Sequence, residues 1–247
     1  MWQHPTMDMD EYIAALDRDS AAFVDACEVA GLSSSVASCP GWTVADLLWH
    51  LTEVHDFWRT VVAERLADPE TYVQPPRPVD ERLTEMYRQG REELLTALAG
   101  ADPATSVWTW TNDHTAGWVV RRMAHETAVH LWDATAAAGM VNPLDPALSS
   151  DGIDEFLTHM IGSTSKAAEP VGGSVHLHCG DVAGEWTVRE QGDGFSVARE
   201  HSKGDCAIRG SASDILLALW RRGPLSNCDV VGDAEVAERF VAHTDLN

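Results

Sequence analysis

The chain has 247 residues, 45% of them hydrophobic, and 39 acidic against 17 basic side chains, giving a formal net charge of −22. Such a length accommodates one large domain or two modest ones, with enough apolar material for real cores. The negative balance argues against nucleic acid, which is held by Lys and Arg that displace counterions, and against anionic membrane surfaces.

The first 140 residues read as helices. The first runs from about Met9 to Ala30 and stops at Gly31, a residue suited to a helix C-cap. After the loop SSSVASCPGW, Thr43 looks like an N-cap, with Asp46 three residues on as an imperfect capping box. From Val44, the apolar residues Leu47, Leu48, Leu51, Val54 and Trp58 recur at three- and four-residue steps. QPPRPVD breaks the chain. A third helix is expected from Asp80 to Leu98 and a fourth from Ala116 to Ala138. Four long helices joined by loops predict an antiparallel bundle over residues 1–142.

Gly139 to Pro146 reads as a linker. A helix around Ile153 to Ile161 follows, and then the hydrophobic period changes to two. SVHLHCGD, GEWTVREQGD, GFSVAREHS and DCAIRG read as short strands, with a hairpin turn at QGDG. SASDILLALWRRG returns to helix, CDVVGD is a short strand, and AEVAERFVAH a last helix. This pattern predicts a smaller α+β domain over residues 148–247, its mostly antiparallel sheet covered by helices on one face. No run of about 18 apolar residues marks a membrane span, and the polar start MWQHPTMDMDEY is no signal peptide. The five cysteines lack CxxC spacing. Free thiols and a cytoplasmic location are the expectation.

The chemistry concentrates in RRMAHETAVHLWDA, residues 121–134. It resembles a zinc-protease H-E-x-x-H, but the second histidine comes one residue late. His125 and His130 stand about 140° apart around a helix and cannot easily share a metal. The inward stripe is Val119, Met123, Glu126, His130, Asp133 and Ala137. Its three polar members cost several kcal/mol to bury unless something pairs with them. Glu126 and His130 are two candidate ligands. His50, at the edge of the second helix's apolar stripe, is the candidate third, and Asp133 could orient an imidazole. The same groups could instead form a buried hydrogen-bond network without metal, and spacing leaves both open. His176 and His178 share one sheet face, but without a visible third partner they rank low as ligands. Trp108, Trp110 and Trp118 are expected to pack in a core, or to line a pocket.

CPGWTVADLLWHL (Cys39 to Leu51) and HETAVHLWDA (His125 to Ala134) resemble the mycothiol-dependent maleylpyruvate isomerase family, within the DinB-like metalloenzymes. ASDILLALWRRGPL and VVGDAEVAERF, nearer the C-terminus, resemble that family's second, sterol-carrier-like domain. The resemblance implies that His50, Glu126 and His130 hold a divalent metal, usually zinc, and that mycothiol is the thiol cofactor. It also implies that Arg222, in WRRGPL, matters for activity, with Arg221 the neighbouring alternative. Arg222 could bind a substrate carboxylate or interact with a helix dipole.

The implied chemistry is addition of a metal-activated thiolate to a conjugated double bond, rotation about the resulting single bond, and elimination to the trans isomer. The same apparatus could make thioether conjugates as an S-transferase, or serve a non-catalytic thiol-binding protein. Cys39 is the nearest of the chain's own thiols for a direct role, although a structural thiol is the commoner case. The partners implied are a small-molecule electrophile and a low-molecular-weight thiol, with a monomer or weak dimer as the assembly.

Overall fold

The computed structural model describes residues 7–140, 142–161, 169–192 and 194–244. Four long helices occupy the N-terminal unit: α1 (Met9–Ala30), α2 (Val44–Glu64), α3 (Asp80–Ala99) and α4 (Ala116–Ala137). α1 packs on α4 and α3, and α2 packs on α3 and α4, which closes the four into a bundle.

Their starts follow from local chemistry. Asp8 caps α1 and Thr43 caps α2, each in a capping box whose two reciprocal hydrogen bonds are both present. The α2 box is therefore complete, although Asp is shorter than the usual Glu or Gln; each cap contributes about 1 kcal/mol. Leu47, Leu48 and Leu51 of α2 are fully buried, and burial of each such side chain stabilises by roughly 1.5–3 kcal/mol. They pack with Phe23, Cys27, Leu83 and Tyr87 in one core cluster. Trp58, Trp108, Trp110 and Trp118 pack on one another, Trp110 meeting Trp118 edge-on with ring centroids 4.7 Å apart.

The second compact unit begins at Pro143. Its first helix starts earlier than the expected Ile153. Asp145 is the N-cap and Pro146 occupies the first turn of α5 (Pro146–Glu155), where a missing N–H costs nothing. A π-helical turn, Phe156–Met160, continues it.

The strands are β1 (Ser174–Cys179), β2 (Glu185–Gln191), β3 (Gly194–Ala198), β4 (Cys206–Gly210) and β5 (Asp229–Gly232). They form one sheet in the order β3-β2-β1-β4-β5, antiparallel except for the β1–β4 pair. Gln191 pairs with Gly194 across the expected hairpin, and Gly192 takes φ +63°; Asp193 of that turn lies outside the described residues. The helices α6 (Ala212–Leu219) and α7 (Ala234–Ala242) pack against β1 and β4. Val175, Leu177, Trp186, Val188 and Ile208 are buried and share one face of the sheet by their alternation and register. Among the described residues, no helix is long and apolar enough to cross a membrane.

Candidate metal centre

α2 and α4 bring His50, Glu126 and His130 together. One ligand atom from each lies within 4.8 Å of the other two. Glu126 Oε1 is 3.4 Å from His50 Nε2 and 3.1 Å from His130 Nε2. The two imidazoles meet edge-on, with ring centroids 5.0 Å apart, and the Trp42 ring packs against His50 in a tilted contact at the same centroid distance.

The supporting groups give the cluster its orientation. His130 Nδ1 and Asp133 Oδ2 are 2.9 Å apart. Ser38 Oγ donates to Asp133 Oδ1 at 2.5 Å, and the Cys39 thiol donates to Oδ2 at 3.8 Å. Cys39 thus touches the carboxylate that orients the His130 ring. On the other side, the buried Arg122 guanidinium pairs with Glu126 Oε2, which leaves Oε1 to face the two histidines.

This arrangement fits a cation. A neutral His130 that donates Nδ1–H to Asp133 presents the lone pair of Nε2 to another lone pair, on Glu126 Oε1. That contact repels unless a proton or a metal ion stands between them. Without a metal the proton does so. Burial alone would lower the pKa of His130, but the negative charge of Glu126 and the hydrogen bond to Asp133 outweigh it and raise the pKa to about 9. Burial alone would raise the Glu126 carboxyl, but Arg122 and His130 hold it well below the usual carboxylate range. Two imidazoles and one carboxylate form a donor set typical of zinc and related divalent ions with open positions.

His125 is outside this cluster, as the helix geometry required. Its buried ring meets Tyr12 of α1 edge-on, with centroids 6.1 Å apart. Two residues that support this cluster escaped the sequence reading. Arg122 carried a signal, since it precedes Glu126 by one helical turn. Ser38, in the loop before α2, carried none. The other four thiols are buried, unlike the half-buried Cys39; burial pushes Cys27 and Cys179 up to about 12 and Cys206 and Cys228 up to about 11, which disfavours the thiolate near neutral pH.

The sequence matches the mycothiol maleylpyruvate isomerase N-terminal domain over residues 13–135 and the C-terminal domain of the same family over residues 147–239. The chain belongs to the mycothiol-dependent maleylpyruvate isomerase family. Both halves of the family architecture are present in order, and His50, Glu126 and His130 all lie in the first. Solved structures of mycothiol-dependent maleylpyruvate isomerase and of a histidine-to-alanine mutant of it share the fold. Each aligns with 93% of this chain and 95% of that chain, with a TM-score of 0.64 and 12% sequence identity. Among curated proteins, none matches the sequence.

Arg222 lies just beyond α6. It is half-buried, its Nη1 donates to the Trp220 carbonyl at 3.0 Å, and its guanidinium carbon stands 5.7 Å from the centre of the Trp220 ring. Arg221 before it is exposed and takes φ +57°, the left-handed conformation that ends the helix.

Proposed function

We propose that this family member is a metal- and mycothiol-dependent enzyme of the maleylpyruvate isomerase type, catalysing cis–trans isomerisation of a small electrophilic molecule. The observation that carries the reading is the convergence of two imidazole Nε2 atoms on one oxygen of Glu126, in a chain that matches both domains of that family. His50, Glu126 and His130 would hold a divalent metal of the zinc class. Such an ion supplies Lewis acidity that keeps a bound thiol as thiolate near neutral pH.

The chain's own residues do the rest. Arg122 holds one oxygen of Glu126 and turns the other inward. Asp133 accepts from His130 and fixes which ring nitrogen faces the cluster. Arg222 would bind a carboxylate of the substrate through its planar fork of donors.

The test is turnover by the metal-loaded protein supplied with mycothiol and offered maleylpyruvate or a haloarene. Thiol-dependent loss of the maleylpyruvate absorbance without consumption of mycothiol supports the isomerase. A stable thioether product with no isomerisation would replace it with an S-transferase. Tight thiol binding without either product would replace it with a binding protein.

A further inference from the structure

A second group of ligating side chains stands in the C-terminal unit. His176 and His178 of β1 are two residues apart and share a sheet face. The antiparallel register sets His178 opposite Glu185, the first residue of β2, and His176 opposite Thr187. The β3–β4 connection adds His201. One ligand atom from each of His176, His178, Glu185 and His201 lies within 4.8 Å of the other three.

The carboxylate of Glu185 is the hub. Its Oε1 is 2.8 Å from His178 Nδ1, and its Oε2 is 2.7 Å from His201 Nδ1. His176 differs from the other two histidines. It is 4% exposed, its Nε2 is buried and makes no hydrogen bond, and the nearest oxygen of Glu185 stands 3.5 Å away. Its ring meets those of His178 and His201 edge-on, at 5.9 and 5.1 Å between centroids. An imidazole nitrogen buried in this way, aimed into a ring of other donors, has lost its hydration for no more than a 3.5 Å contact with Glu185, and a bound ion would offset that loss.

The segment carrying His201 is fixed at its far end. Asp205 N–H donates to the Ser174 carbonyl, and Ser174 N–H and Oγ–H both donate to Asp205 Oδ2. Gly204 permits the approach, because a Cβ there would stand 2.9 Å from the Ser174 carbonyl oxygen. His201 itself meets the first residue of β2 through its 2.7 Å hydrogen bond to Glu185.

We propose that His176, His178, Glu185 and His201 form a second divalent-metal site, of three imidazoles and one carboxylate, distinct from the centre in the bundle. The donor set suits zinc, cobalt and other borderline ions. Four-coordinate zinc sets its ligand atoms about 3.3 Å apart, so the four donors need only small side-chain shifts to close on an ion. With four protein ligands, no position of a tetrahedral ion is left open, and the role is structural. The ion would tie β1 and β2 to the β3–β4 connection.

The experiment uses the full chain, stripped with a chelator and dialysed against micromolar zinc or cobalt. Metal content is read by elemental mass spectrometry, and cobalt geometry by visible absorption. Wild type should hold about two ions per chain, and His50→Ala/His130→Ala about one. His178→Ala/His201→Ala should also drop to about one, and the four substitutions combined to none. His201 is exposed, so His201→Ala alone tests the site without threatening the fold. In the variant lacking His50 and His130 it should weaken cobalt binding and shift the visible absorption away from the four-ligand spectrum, since two imidazoles and one carboxylate remain; unchanged affinity and spectrum would remove His201 from the site. Unchanged stoichiometry in His178→Ala/His201→Ala, or no ion in His50→Ala/His130→Ala, would overturn the second site. Failure of the bundle centre reads differently, as retention of every bound ion when His50 and His130 are replaced.

Discussion

Asp133 and His130 lie one helical turn apart on α4, joined by a 2.9 Å hydrogen bond between Oδ2 and Nδ1. Because an imidazole has two nitrogens and Asp133 takes one, the other must face Glu126. A local i, i+3 contact thus fixes which nitrogen of His130, a candidate ligand, faces a cluster completed by His50 from another helix.

Removal of that contact should weaken the bundle centre without abolishing it. Asp133→Asn is expected to lower metal affinity about 10- to 100-fold, measured by competition with a chromophoric chelator. Ser38→Ala should act in the same direction and less strongly, since it touches the ring only through Asp133. Equal affinity in wild type and Asp133→Asn would show that the ring is held in place by packing alone.

The two histidines of α4 should behave in opposite ways. His130→Ala should lose the bundle ion, and Glu126→Gln should bind it weakly because a neutral amide is a poor zinc ligand. His125→Ala should retain the ion and lose about 1–3 kcal/mol of stability, since its ring is buried against Tyr12. Metal content and a urea titration separate the two effects. Loss of the ion from His125→Ala would contradict the helix-face argument.

Metal uptake should depend on pH. In the metal-free chain, Glu126 and Asp133 raise the pKa of His130 to about 9, after its burial has been overcome. An incoming ion must displace that proton, so apparent affinity should fall about tenfold for each pH unit below about 9. Competition titrations between about pH 6 and pH 9, in the variant His178→Ala/His201→Ala to isolate the bundle, measure the slope. A flat profile would mean that His130 is already neutral before the metal arrives.

His55 should make the bundle acid-sensitive. Burial lowers its pKa from 6.5 to about 3, and its Nε2 lies 3.0 Å from Thr127 Oγ1. Between those values the unfolded chain binds a proton that the folded chain refuses. This residue's contribution to stability therefore falls as pH drops, by about 1.4 kcal/mol per unit. His55→Gln should flatten the pH dependence of urea unfolding in metal-free protein, followed by tryptophan fluorescence. Parallel curves for the two proteins would assign the acid sensitivity to other groups.

Arg222→Ala should leave metal content unchanged and lower kcat/KM for a carboxylate-bearing substrate. Loss of one charge-assisted interaction of about 1.5–3 kcal/mol corresponds to roughly 10- to 150-fold. Arg222→Lys should recover part of it, since a point charge lacks the guanidinium fork. If Arg221→Ala carries the loss instead, the neighbouring arginine is the one that contacts substrate.

Much of the fold was legible because it is written in local chemistry. Capping residues, the period of Leu47, Leu48 and Leu51, and the switch to period two before β1 act over a few residues and need no distant partner. α5 was misplaced because its start rests on Asp145 and Pro146, inside a stretch rich enough in Gly and Pro to read as a linker.

The sequence by itself determined that Glu126, His130 and Asp133 share one face of α4, and that His125 does not, since 3.6 residues per turn leaves no choice. It also put His176 and His178 on one face of a strand. Only the tertiary structure decided which distant groups meet them. Arg122 was within reach of a local rule, but Ser38 approaches Asp133 from a loop. Glu185 and His201 reach the histidines of β1 through strand register and through a connection pinned by Ser174 and Asp205. Periodicity tells which way a side chain points from its own backbone. Pairing, register and loop path tell what it points at, and those are settled by packing over the whole unit.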